Sequence, residues 1–149
     1  MENTLQIKRV QISFDEKEAD WLKRNSDQKG AEGTIFSVLT GSFEKLNALL
    51  NELQENLGIA ESFAEAVRAE YPEEFFRDHS LVVMFSDERS GSSTITLKES
   101  VLFSDTLCLT LERKRGLTMD MAYLFLFCPY EGKDAVRSRV RIEEEAYTW

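Results

Sequence analysis

Hydrophobic residues change their spacing near residue 80, and that change governs what the chain can fold into. Between Gly41 and Gly58, the residues Phe43, Leu46, Leu49, Leu50, Leu53 and Leu57 recur on one side of a 3.6-residue spiral. Glu44, Lys45, Asn51, Glu52 and Gln54 fall on the other side. After residue 79 no helical period exists, and apolar side chains recur every second residue. Helical spacing followed by pleated spacing predicts an α+β fold, with the sheet concentrated in the second half.

The first half divides further. Leu5-Gln6-Ile7-Lys8 and Val10-Gln11-Ile12-Ser13-Phe14 each alternate, and the phase slip at Arg9-Val10 predicts a bulge or bend in one strand. Residues 15–32 are mostly polar and predict a long excursion anchored by Trp21-Leu22. Thr34-Ile35-Phe36-Ser37-Val38-Leu39 then reads as a short strand. Ser42 suits the N-cap of the first clear helix, because its hydroxyl can accept from an orphan backbone N–H, and Gly58 suits its C-terminal end. A second helix over residues 60–70 places Phe63, Ala66 and Val67 on one side, and Pro72 opens a short further turn ending at Arg77.

In the second half, Leu81-Val82-Val83-Met84-Phe85 and residues 121–128 are apolar on both faces, which predicts strands covered on both sides. Pro129 is expected to end the latter. Ile95, Leu97, Val101 and Phe103 line one strand; Leu107, Leu109 and Leu111 line the next. Arg113-Lys114-Arg115-Gly116 reads as a turn, and Val136, Ser138, Val140 and Ile142 alternate with Arg137, Arg139 and Arg141. Strands joined by short turns run mostly antiparallel. The expectation is one domain over residues 1–149: a mostly antiparallel, curled sheet of five to six strands packed against two helices. Either the curl or the N-terminal strands would cover its second apolar face.

Composition narrows the function. With 42% hydrophobic and 30% charged residues in 149, the chain has material for one core. Net charge is −9, and residues 1–79 carry most of it, with 9 basic against 16 acidic side chains. Such a field repels phosphate backbones and predicts no nucleic-acid partner. The longest apolar run, residues 122–129, is far short of the ~20 residues that span a bilayer. The opening residues Met1-Glu2-Asn3-Thr4-Leu5 have neither a basic nor an apolar signal region. That predicts a cytoplasmic chain or the mature part of an exported one.

Candidate chemistry is sparse. His79 is the single histidine and lies between Asp78 and Ser80, but adjacent positions do not build a triad, and no Gly-x-Ser-x-Gly elbow is present. It is expected at the surface, near a helix end. Glu73-Glu74, Asp87-Glu88 and Glu143-Glu144-Glu145 lack calcium-loop spacing and read as solvated faces, so no metal, cofactor or catalytic residue is expected. Cys108 and Cys128 read as small core hydrophobes, with a cross-strand disulfide as the sharper alternative. Asp120 reads as a turn residue. Ser90-Gly91-Ser92 forms a hairpin tip rather than a phosphate loop, and such tips often carry binding. Arg137, Arg139 and Arg141 share one face by their period of two. Cross-strand carboxylates such as Glu112 or Glu99 would neutralise them on a solvent face, and charged side chains can also blunt a sheet edge. Alternatively the row binds an anionic partner or a membrane surface.

Several of these residues carry a resemblance. Tyr71, Phe75-Phe76, Ser80-Leu81-Val82-Val83, Ser90-Gly91-Ser92 and Thr118-Met119-Asp120-Met121-Ala122 follow one another in an order that resembles small bacterial domains related to the C-terminal domain of the protease-complex subunit PrcB. Such domains are common in Gram-positive lipoproteins. The likeness covers residues 71–142. It implies a compact, β-rich, non-catalytic interaction domain, often exported or membrane-tethered. Ser90-Gly91-Ser92-Ser93 stands where the protease-subunit branch has a Thr-Gly-Gly-Tyr-like turn, so no protease partner is implied. The resulting expectation is a non-enzymatic protein-binding domain acting through the arginine row and the Ser90-Gly91-Ser92 hairpin. Its rivals are an acidic inhibitor of the immunity type and a hydrolase using His79.

Overall fold

In a computed structural model the described residues are 5–12, 15–27, 36–88, 93–114, 116–118 and 122–145. Among these residues, seven strands and three α-helices run in the order β1 (Gln6–Val10), α1 (Glu16–Asn25), β2 (Phe36–Thr40), α2 (Phe43–Leu57), α3 (Glu61–Glu70), a 3-10 turn (Glu73–Arg77), β3 (His79–Glu88), β4 (Thr94–Phe103), β5 (Thr106–Lys114), β6 (Ala122–Glu131) and β7 (Arg137–Glu145).

The helices begin and end where their capping chemistry dictates. Ser42 accepts a hydrogen bond from the Lys45 backbone at 3.1 Å, and Gly58 closes α2 at φ 70°, a backbone that favours glycine. The expected polar excursion is a helix for ten of its residues. Asp15 accepts from the Lys17 and Glu18 backbones, and Glu18 reaches back to the Asp15 N–H, a reciprocal cap that starts α1 despite its having only Trp21 and Leu22 to bury. Trp21 anchors it as expected, its ring 6.0 Å from that of Phe36. In α3 the buried residues are Ala64 and Val67, while Ala66 faces solvent.

The strands form two sheets, not one curled sheet. The first has the order β1-β6-β3-β2 and is antiparallel throughout. The second has the order β4-β5-β7, with β4 antiparallel and β7 parallel to β5. The parallel pair arises because β6 intervenes in sequence but belongs to the other sheet. Strands β3 and β6 are doubly apolar because they lie in the middle layer of three. Leu81, Val83, Phe85, Phe125 and Phe127 pack against the helices. Val82, Met84, Leu124, Leu126 and Cys128 pack against Leu107, Leu109, Leu111 and Val140 of the second sheet. The cover over the second apolar face is therefore β4-β5-β7. The N-terminal strands instead form the edges of the middle sheet.

Three local expectations change with this arrangement. Strand β1 pairs with β6 without a register shift and stops at Val10, so the phase slip marks an end rather than a bulge. Strand β6 continues through Pro129 to Glu131. Among the described residues its partner β1 reaches only Phe127, and on its other side Pro129 is paired with Leu81 of β3. Strand β5 continues through Arg113 to Lys114, carrying Arg113 into the interior.

A polar seam joins the sheets where β2 meets β7. One Asp27 carboxylate oxygen accepts from the Leu39 N–H at 2.8 Å, the Ser138 N–H at 2.9 Å and the Ser138 hydroxyl at 3.0 Å. Ser37 and Ser138 hydroxyls meet beside it at 2.6 Å.

Candidate interaction face

The side of β4-β5-β7 turned away from the middle sheet has no layer over it among the described residues. Register fixes which side chains share it. Val101, Cys108 and Arg139 form one row across the three strands, and Phe103, Thr106 and Arg137 form the next. Glu99, Thr110 and Arg141 follow. A register shift at Lys98, between Leu97 and Glu99, turns Val101 and Phe103 to this outer side, while Ile95 ahead of it faces inward. Val101 is 44% exposed and Phe103 is 75% exposed. Phe103 sits at the end of the β4–β5 hairpin, whose turn residue Ser104 has φ 57°.

The three arginines are exposed on this face, as their period of two predicts, while Ser138 and Val140 between them are buried. Their neutralisation is uneven, and it does not come from Glu112 or Glu99. Arg137 lies 3.5 Å from Asp105, and Arg141 lies 3.3 Å from Glu143. Glu143 also accepts from Lys98 at 2.7 Å, which holds the Glu143 carboxyl below its usual range and the Lys98 ammonium above its own. Arg139, in the middle, has no partner among the described residues. Its cross-strand neighbour is Cys108, which offers no charge. The face thus splits into a mixed-charge end around Lys98, Glu112 and Glu143, and a hairpin end where the Arg137–Asp105 pair and Arg139 stand beside Val101 and Phe103.

The other expected site residues lie apart. Ser90, Gly91, Ser92 and Asp120 fall outside the described residues. His79 is not at the surface: it is 6% exposed, stacked on the Phe75 ring at 4.9 Å, with Nδ1 2.5 Å from an exposed Asp78 carboxylate. An Asp–His pair therefore exists, but His79 Nε2 is buried with no hydrogen-bond partner among the described residues, and the Ser80 hydroxyl donates to the Gly132 carbonyl at 3.1 Å. No nucleophile meets the imidazole there. Cys108 and Cys128 are both free thiols. Cys108 faces outward on β5 while Cys128 lies between the sheets, where burial pushes its thiol up to about 12. Among the described residues no three His, Cys, Asp or Glu side chains gather as a metal site. Also among them, no helix is long and apolar enough to cross a membrane.

Glu88, expected on a solvated face, is 2% exposed and pairs with Arg113, itself 5% exposed. Arg113 Nε donates to Glu88 Oε1 at 2.9 Å, and its Nη2 donates to Oε2 at 2.7 Å. Ser86 donates to the same carboxylate, and Arg113 Nη1 reaches Glu144 at 3.2 Å. This fork ties β3 to β5 and β7 across the two sheets. A readable signal was present: Arg113 falls on the same parity as Leu107, Leu109 and Leu111, which face inward.

No protein-family model, no curated protein and no solved structure matches the chain.

Proposed function

We propose that this chain is a non-enzymatic protein-binding domain whose contact surface is the outer face of β4-β5-β7. The observation that carries the reading is the pairing of Arg139, exposed and without a carboxylate partner among the described residues, with Val101 and Phe103, exposed on the same pleated face. A solvated sheet face ordinarily neutralises its charges across strands and keeps large apolar side chains inward. Interfaces favour the combination of arginine and aromatic residues seen here. The resemblance of residues 71–142 to small PrcB-related bacterial domains supports the same reading and extends it to an exported or tethered setting. The net charge of −9 lies mainly in residues 1–79, so the domain presents an acidic side and a locally basic one.

The test is site-specific photo-crosslinking in cells of the source organism. A crosslinker replacing Phe103 is expected to yield a discrete adduct with one protein, and one replacing Glu55 on the helical layer is expected to yield none. The adduct is expected to fade when Arg137, Arg139 and Arg141 are all changed to Ala. An adduct from Glu55 with none from Phe103 would move the function to the acidic helical side, as an immunity-type inhibitor requires.

A further inference from the structure

Resting on that reading of the face, we infer that its hairpin end docks an acidic segment of the partner, bearing carboxylates beside a bulky apolar side chain. Outward side chains along one strand are about 6–7 Å apart, so Arg139, with no carboxylate partner among the described residues, stands at that interval from Arg137, which already lies 3.5 Å from Asp105. Each guanidinium is planar and forked, matched to a carboxylate rather than to a carbonyl. Across the sheet, two strand spacings or about 10 Å away, Val101 and Phe103 offer an apolar strip. Between them lie Thr106 and Cys108, small and uncharged, and the Asp105 carboxylate at the hairpin is held against Arg137 at 3.5 Å.

The same features weigh against other occupants. Two copies meeting face to face would set one arginine row against another, which opposes a two-fold dimer. An anionic bilayer or a nucleic acid would have to approach a chain of net charge −9, most of it in residues 1–79. A short acidic segment feels mainly the local arginines, because longer-range repulsion is screened beyond about 8–10 Å in physiological salt.

Binding is tested on the full chain by fluorescence anisotropy with labelled 15-residue peptides. Four Glu and three Leu are arranged in varied order, against matched peptides with Lys in place of Glu. At least one Glu/Leu arrangement is expected to bind and every Lys counterpart is expected not to, with affinity falling as salt rises. Arg139→Glu is expected to weaken that binding about tenfold or more, and Phe103→Ser by a similar order, as for central interface residues. Both sites are exposed, so the urea unfolding midpoint is expected to stay within error of the parent.

The inference is overturned if no Glu/Leu peptide binds better than its Lys counterpart, or if Arg139→Glu leaves binding unchanged. It is equally overturned if vesicles containing phosphatidylserine, or duplex DNA, bind through Arg139 while the peptides do not, or if light scattering shows the chain saturating its own face as an oligomer. A Phe103 crosslink without peptide binding would remove the acidic-segment inference and leave the protein-binding reading in place. Loss of both would remove both.

Discussion

At the scale of single residues, the Glu88–Arg113 fork places a carboxylate and a guanidinium in the interior. Both ions are withdrawn from water, and the desolvation this costs is offset only because the pairing is bidentate and Ser86 and Glu144 complete it. Removing one partner strands the other. Glu88→Ala or Arg113→Ala is expected to lower unfolding free energy by about 3–5 kcal/mol, whereas joint replacement by Leu at 88 and Met at 113 recovers most of the loss. Urea denaturation of the four chains measures this directly, and equal damage in the double variant would mean that the pair is not the inter-sheet tie described. Such a pair also selects register. An apolar core tolerates sliding between sheets, but a carboxylate in that core must meet its one guanidinium.

At the scale of elements, legibility in the sequence followed apolar density. Helix α2, with six apolar residues at helical spacing, a serine cap and a terminal glycine, is plain from its residues. The alternation in β4, β5 and β7 fixes which side chains point together, and so places the three arginines on one face. Helix α1 escaped because only Trp21 and Leu22 are buried in ten residues, too few to show a period. Its signal was the Asp15-x-x-Glu18 cap, a local hydrogen-bond pattern rather than a hydrophobic one. The parallel pairing of β5 with β7 was also hidden, because chain order does not say that β6 crosses to another layer. Nor does spacing reveal the polar seam, where Asp27 satisfies donors from two sheets at once. Asp27→Ala leaves the Leu39 and Ser138 N–H groups without that acceptor. It is expected to destabilise the fold by at least about 1–3 kcal/mol, the cost of an unmet buried donor. It should also speed amide exchange at Leu39 and Ser138 ahead of β3 and β6. Uniform exchange across all four sites would contradict the seam.

At the scale of the whole molecule, the described residues form three layers: helices, a four-stranded sheet and a three-stranded sheet. Doubly apolar β3 and β6 announced a middle layer, yet apolar runs alone do not say whether a sheet curls over itself or a second one covers it. The candidate face follows from the same layering. Glu44, Glu52, Glu55, Glu61 and Glu65 are exposed on the helical side, while Arg137, Arg139 and Arg141 stand on the opposite one. The arginines were legible from alternation. Their apolar neighbours Val101 and Phe103 were not, because a strand reading of Ile95, Leu97, Val101 and Phe103 puts all four on one side, and only the register shift at Lys98 separates them.

The two thiols report this layering with no added label site. Cys108 lies on the outer face between Val101 and Arg139, half-buried, and Cys128 is fully buried between the sheets with its thiol held protonated. The measurement is native thiol titration with Ellman's reagent, before and after unfolding in guanidinium. The layered arrangement predicts one reactive thiol per native chain and two after unfolding, with the native signal abolished by Cys108→Ser. A native Cys108→Ser chain that still reacts, or a parent in which both thiols react at once, would show that β6 is not the middle of a sandwich.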